Sequence, residues 1–138
     1  MKVRLLAVGR VKAPFADAQA HYLKMLGPKQ RVELVEVRDG AALLDRIGER
    51  DRVVCLDGRG RAMDSIEWSG WLGERRLDAR DVAITIGGPE GLPEAVLDRA
   101  DEVISLGPQT IAHQLARVVL LEQLFRAAKI LAGEPYHL

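Results

Sequence analysis

The stretch "AITIGGPEGLPEA", residues 83–95, runs from apolar and β-branched side chains into Gly87, Gly88, Pro89, Glu90, Gly91 and Pro93. Its first residues read as the end of a strand. Gly87 and Gly88 carry no Cβ, so the backbone there is free to take positive φ and to approach a flat ligand closely, and Pro89 fixes the exit. Pro93 fits the first position of a helix over "PEAVLDRA". The segment is therefore a strand, a tight turn and a helix, the unit from which layered α/β proteins are built.

Four similar runs accompany it. "VRLLAVG", "VELVEV", "RVVCLDG" and "EVISLG" are short, rich in Val, Ile and Leu, and end in glycine or polar residues. With "DVAITIGG" they predict five strands. "FADAQAHYLKML", "AALLDRIG" and "DSIEWSGWLGERRL" fall between them with helical spacing, the last opening on Asp64 and Glu67 in a capping-box arrangement. Strands alternating with helices imply an α/β fold with a mostly parallel central sheet flanked by helices. Internal repeats and linkers are absent, and residues 1–138 read as a single domain.

The final helix, from about His113 to Ala132, carries apolar residues on more than one face, among them Leu115, Val118, Leu121 and Leu124. That width implies burial between layers or a homodimer in which this helix supplies the interface. Leu121 and Leu124 are the expected contacts.

Composition narrows the class. The chain has 138 residues, 48% hydrophobic and 29% charged, as in ordinary soluble domains. No apolar run reaches the length of a membrane span or a signal-peptide core, which makes a cytoplasmic location the default and gives no membrane partner. Cys55 lies in an apolar run and reads as a reduced, buried thiol. Twenty Lys plus Arg balance 20 Asp plus Glu, yet Lys2, Arg4, Arg10, Lys12, Lys24, Lys29 and Arg31 face only Asp17 before position 32. This local surplus could meet phosphates.

In open α/β sheets, ligands collect at the carboxyl ends of strands, here "CLDGRG", "IGGPEG" and "SLGPQTIAH". Neither a dinucleotide-binding G-x-G-x-x-G after the first strand nor a Walker A loop is present. The irregular backbone of "GPQTIAH" could hydrogen-bond a purine edge, and His113 and Arg117 follow at i,i+4 spacing near a helix N-terminus.

"LAVG", "LDGRG", "IGGPEG", "HQLARVVLLEQLFRA" and the terminal "EPYHL", in that order, resemble the small SPOUT methyltransferases that methylate N3 of a pseudouridine in large-subunit ribosomal RNA. The resemblance covers essentially the whole chain. It implies a SPOUT fold with a C-terminal trefoil knot, a homodimer, an S-adenosyl-L-methionine donor and the assembled ribosome as substrate. It places the donor against Leu56, Gly88, Gly107, Pro108, Gln109, Thr110, Ile111 and Ala112. No metal is expected. N3 of a uracil ring is an imide whose proton must leave before it attacks, so a base or anion stabiliser is needed. His113, Glu122 and His137 are candidates, with Arg117 as electrostatic stabiliser, and the tail bearing Tyr136 and His137 is expected to reach the partner's site. Many relatives carry a basic residue after the Tyr-His pair, where this chain has Leu138. The alternatives are an RNA-binding module of the same fold without catalysis, and a transfer RNA methyltransferase.

Overall fold

The computed structural model describes residues 1–136. In chain order the elements are β1 (Val3–Val8), α1 (Phe15–Leu26), β2 (Val32–Val37), α2 (Gly40–Leu44), β3 (Arg52–Ala62), α3 (Ser65–Asp78), β4 (Val82–Ile86), α4 (Glu94–Asp98), β5 (Glu102–Ser105) and α5 (His113–Leu131). The strands form one five-stranded sheet in the order β2-β1-β4-β3-β5. Every pairing is parallel. β4, the deciding segment, lies at the centre with all of its residues buried. A strand apolar but for Thr85, whose buried hydroxyl reaches Val54 O and Cys55 Sγ, suits a parallel sheet covered on both faces.

Alternation along the strands sends Val3, Leu5, Val54, Ile84 and Ile104 to one face, where they pack with residues of α1, α3 and α5. Leu6, Val53, Cys55 and Ala83 point to the other, with Leu43 of α2 and Val96 of α4. Local chemistry fixes the helix starts. Asp64 accepts from Glu67 N at 2.8 Å while Glu67 Oε1 accepts from Asp64 N at 3.1 Å, completing the expected capping box of α3. At α4, Pro93 is the N-cap, with ψ of 150°, so the helix begins one residue later than its sequence suggests. α2 is also shorter than expected and stops at Leu44.

The breadth of the apolar surface on α5 has an internal explanation. The helix packs against both α1 and α3, and Leu120, Leu121 and Leu124 are fully buried within the chain. Each such leucine contributes about 1.5–3 kcal/mol through burial. Leu121 and Leu124 are thus core residues, which overturns their expected place in a subunit interface. Leu115 and Leu131, each 41% exposed, and the half-buried Val118, Val119 and Ile130 are the apolar residues that α5 leaves in reach of solvent.

β3 runs further than expected, and its extension matters. Ile104 of β5 pairs with both Leu56 and Arg61, so residues 57–60 leave the ladder as a loop whose two ends stay on β5. At its end, a Cβ on Gly60 would lie 2.5 Å from Val103 C and O and 2.7 Å from Ile104 N. Backbone cannot yield as a side chain can. Gly60→Ala is therefore expected to cost at least the ~1–3 kcal/mol typical of overpacking, measured as a lowered urea midpoint. An unchanged midpoint would mean that the loop is free to lift off β5.

Candidate functional site

The bulged middle of β3, where its register shifts after Leu56, and the loops that follow β4 and β5 enclose a cavity of about 460 Å³. This lies within the roughly 300–1,000 Å³ usual for small-molecule sites. β3 contributes Leu56, Asp57 and Gly58; the turn after β4 contributes Gly87, Gly88, Pro89, Gly91 and Leu92; the segment after β5 contributes Ser105 through Ile111, with His113 and Ala116 of α5 behind it. Seven of the eight expected donor contacts line it, namely Leu56, Gly88, Gly107, Pro108, Gln109, Thr110 and Ile111. Ala112 does not line it. It caps α5, its carbonyl accepting from Ala116 N at 2.8 Å.

The glycines divide the work differently from the sequence reading. Gly91 (φ 78°) and Gly107 (φ 132°) hold the left-handed conformations, whereas Gly87 and Gly88 do not have positive φ. Gly87 is required by contact: a Cβ would fall 2.6 Å from Gly91 C, where the turn closes on itself through the Gly88–Gly91 bridge. At Gly88 a Cβ would meet the Val8 side chain at 3.1 Å. Ser105 Oγ accepts from Gly107 N at 3.1 Å and donates to Gly107 O at 2.8 Å, pinning the entry to the irregular segment. Residues 108–112 adopt no regular structure, so their backbone groups lie outside any ladder. They are the polar groups such a cavity offers to the edge of a flat ligand.

One ion pair, Asp57 with Arg59, stands at the rim. The Arg59 side chain and backbone N–H hold the Asp57 carboxyl below its usual range, with Arg59 Nε and N each 2.9 Å from Oδ1. Asp57 had not been singled out, although "CLDGRG" contained it. The guanidinium that keeps this carboxylate ionised also neutralises it, so Asp57 offers the cavity a hydrogen-bond acceptor and no net charge.

Of the candidate catalytic residues, His113 lines the cavity. Arg117 does not. It is 1% exposed and its guanidinium points inward, to Glu36 at 2.6 Å, Gln19 at 3.5 Å, Val8 O at 3.1 Å and Gly9 O at 3.0 Å. A cation so engaged stabilises the end of β1, which corrects its reading as a group facing the reaction. Glu122 and Tyr136 lie on neither wall of the cavity. Glu122 holds Arg126 at 3.0 Å, and Arg126 sits 4.8 Å from the centre of the Tyr136 ring, which also meets Phe125 edge-on at 4.9 Å. Burial, with the Glu122 carboxylate nearby, pushes the Tyr136 phenol up, and Glu122 raises Arg126. Arg126 was missed by the sequence reading. Its i,i+4 spacing from Glu122 was the available signal. His137 lies outside the described residues.

The tail carrying Tyr136 is fastened. Glu134 pairs with Lys29 at 2.5 Å and Lys129 at 2.8 Å, and the Lys129 and Lys29 ammonium groups lower its carboxyl to about 2. Glu122, Arg126 and Tyr136 thus form a second cluster, apart from the cavity. Thirteen residues of helix separate His113 from Arg126, about 20 Å along the axis.

A family model described as predicted SPOUT methyltransferase matches residues 1–137. Ribosomal RNA large subunit methyltransferase H of Solidesulfovibrio magneticus is 46% identical over 150 residues, covering 98% of this chain and 97% of the relative. The protein of that name from Anaeromyxobacter sp. strain K is 45% identical over 152 residues, covering 99% of each. Among solved structures, a probable methyltransferase from Bordetella pertussis Tohama I superposes with a TM-score of 0.61 at 21% identity, covering 92% of this chain and 94% of that one, a likeness of fold alone. The parallel sheet, the cavity at its carboxyl edge and a family match running nearly from end to end agree, and the chain belongs to the SPOUT methyltransferase family.

Proposed function

We propose that this protein, acting as a single domain over residues 1–138 in the cytoplasm, transfers a methyl group from S-adenosyl-L-methionine to N3 of a pseudouridine in 23S ribosomal RNA on the assembled ribosome. The observation that carries this reading is the cavity walled by the bulge of β3 and the glycine-bearing loops after β4 and β5. Its size and its unladdered backbone fit a donor with a flat purine. Leu56, Gly88 and residues 107–111 would hold that donor. When bound, it supplies an electrophilic methyl group. The relatives' printed names supply the ribosomal RNA of the large subunit as the substrate class.

The chain's own residues must remove the N3 proton and hold the resulting anion. His113 lines the cavity, while Glu122, Arg126 and Tyr136 lie about 13–20 Å further along α5 or against it. For both groups to serve one base, a second copy must bring its cluster to the first copy's cavity. That separation supports a homodimer with composite sites. In such a site Arg126, beside Tyr136, is the cation placed to stabilise the N3 anion, the role once given to Arg117. His137, the next residue in the sequence, stays a candidate base. The SPOUT trefoil knot is part of the same reading.

The test pairs binding with product analysis. Calorimetry should detect one donor per chain, and ribosomes from a strain lacking the gene should gain one methyl group on a large-subunit pseudouridine when given protein and donor, seen by mass spectrometry. Donor binding without that product would leave the fold reading and overturn the substrate.

A further inference from the structure

Among the seven cations of the first 31 residues, the structure separates those that are neutralised from those that are not. Lys2 pairs with Glu33, Arg4 with Asp51 and Lys29 with Glu134. Arg10, Lys12, Lys24 and Arg31 are exposed and make no ion pair among the described residues, and of these four Arg10 and Lys12 sit on the segment that the structure ties beside the cavity.

Their backbone, by contrast, is held at every residue. Arg117 donates to Val8 O and Gly9 O; Gly9 N donates to Val37 O at 2.8 Å; Val11 N donates to Glu36 at 2.7 Å. Gln114 grips both neighbours, accepting from Lys12 N at 2.9 Å and donating to Arg10 O at 3.2 Å. Loops usually stay mobile. This one is tied to β2 and to the first turn of α5 by a network whose centre, Arg117, is buried. The network brings residues 8–12 beside the site: Gln114 follows the cavity residue His113, and Val8 lines a second cavity of about 620 Å³ that shares Gly88, Pro89, Gly91 and Leu92 with the first.

Resting on the proposed RNA methyltransferase activity, we propose that residues 9–12 form a preorganised cationic finger in which Arg10 and Lys12 take RNA backbone phosphates flanking the target nucleotide, with Gln114 as positioning residue. A fixed backbone with free cationic ends suits this partner. Phosphates need charge at a set place more than shaped contacts, and ordering the loop in advance lowers the entropic cost of binding.

The double variant Arg10→Gln with Lys12→Gln separates the possibilities. KM for ribosomes should rise on the order of tenfold with kcat kept, and the slope of log affinity against log salt should fall by roughly one to two, one phosphate contact per cation. Donor affinity by calorimetry should not change. Gln114→Leu should raise KM while leaving the salt slope at its wild-type value, because the charges remain but the finger is loosened. An unchanged KM and slope in the double variant would overturn the finger, and lost donor affinity would reassign these cations to the donor's carboxylate. If wild-type protein methylates no ribosomal RNA, it is the underlying activity that fails. If the wild type is active and the double variant matches it, the finger alone fails.

Discussion

Arg117→Met is expected to cost about 3 kcal/mol of stability and to lower the melting temperature by roughly 10 °C. Methionine fills much of the same space, so the loss comes from the polar groups left behind. Four N–H donors now end on acceptors, and the guanidinium is 1% exposed. Removing it leaves the Glu36 carboxylate with the Val11 N–H but no countercharge, and takes the guanidinium donors from two carbonyls at the end of β1. Breaking one partner of a buried pair typically costs ~3–5 kcal/mol. The lower end applies, because the Glu36 side chain keeps 31% of its exposure and can draw on water. Against a total stability of about 5–15 kcal/mol for a domain, this is a large fraction. Urea unfolding with and without Glu36→Gln gives the coupling between them. A direct role at the reacting base predicts the opposite pattern, with wild-type stability and lost turnover. An unaltered urea midpoint would sink the structural role.

That contrast shows where sequence reasoning reached its limit. The i,i+4 spacing of His113 and Arg117 does place both on α5, but α5 packs between α1 and α3 and against the sheet. Four residues along such a helix lead from the cavity wall into the core. The partner that decides the matter, Glu36, is 81 residues away in sequence. What depends on near neighbours was legible: the five strands, α1 over Phe15–Leu26, the capping box at Asp64, and the three segments that became the cavity. What depends on distant backbone was not. Gly87 and Gly60 are needed because other segments pass too close, and neither has a positive φ that a local pattern would reveal. Leu121 and Leu124 carry the apolar character of an interface and of a core alike, and only the packing of α1 and α3 tells them apart. Arg126 escaped notice for the same reason, since its value lies in Tyr136, which the chain brings back onto α5 only after Gly133 turns it and Glu134 pins it.

Ending the chain before Tyr136 is expected to leave donor affinity near that of the full chain and to lower methyl transfer by about 10²–10⁴-fold, the range lost with a general acid or base. Binding and turnover separate because the cavity and the Glu122, Arg126 and Tyr136 cluster are built from different parts of the chain. Tyr136 also packs on Phe125, so truncation alone could act by loosening the end of α5. Tyr136→Phe resolves this. It keeps the edge-on contact and the ring under Arg126 while removing the hydroxyl, so full activity in that variant assigns the loss to His137 or to the ordering of the tail. Mixed dimers then test whether the cluster works across subunits. The second subunit should carry Gly107→Val, because the φ of 132° at Gly107 is one that a β-branched residue cannot adopt without strain, and the donor loop would be deformed. Each homodimer should be inactive. A mixed dimer contains one site with an intact cavity from the truncated chain and an intact tail from its partner, and activity should partly return, in proportion to the mixed species seen by native mass spectrometry. If mixed dimers form and remain inactive, the cluster does not serve the neighbouring cavity, and the proton must be removed within one chain, with His113 as the titratable group already at the wall.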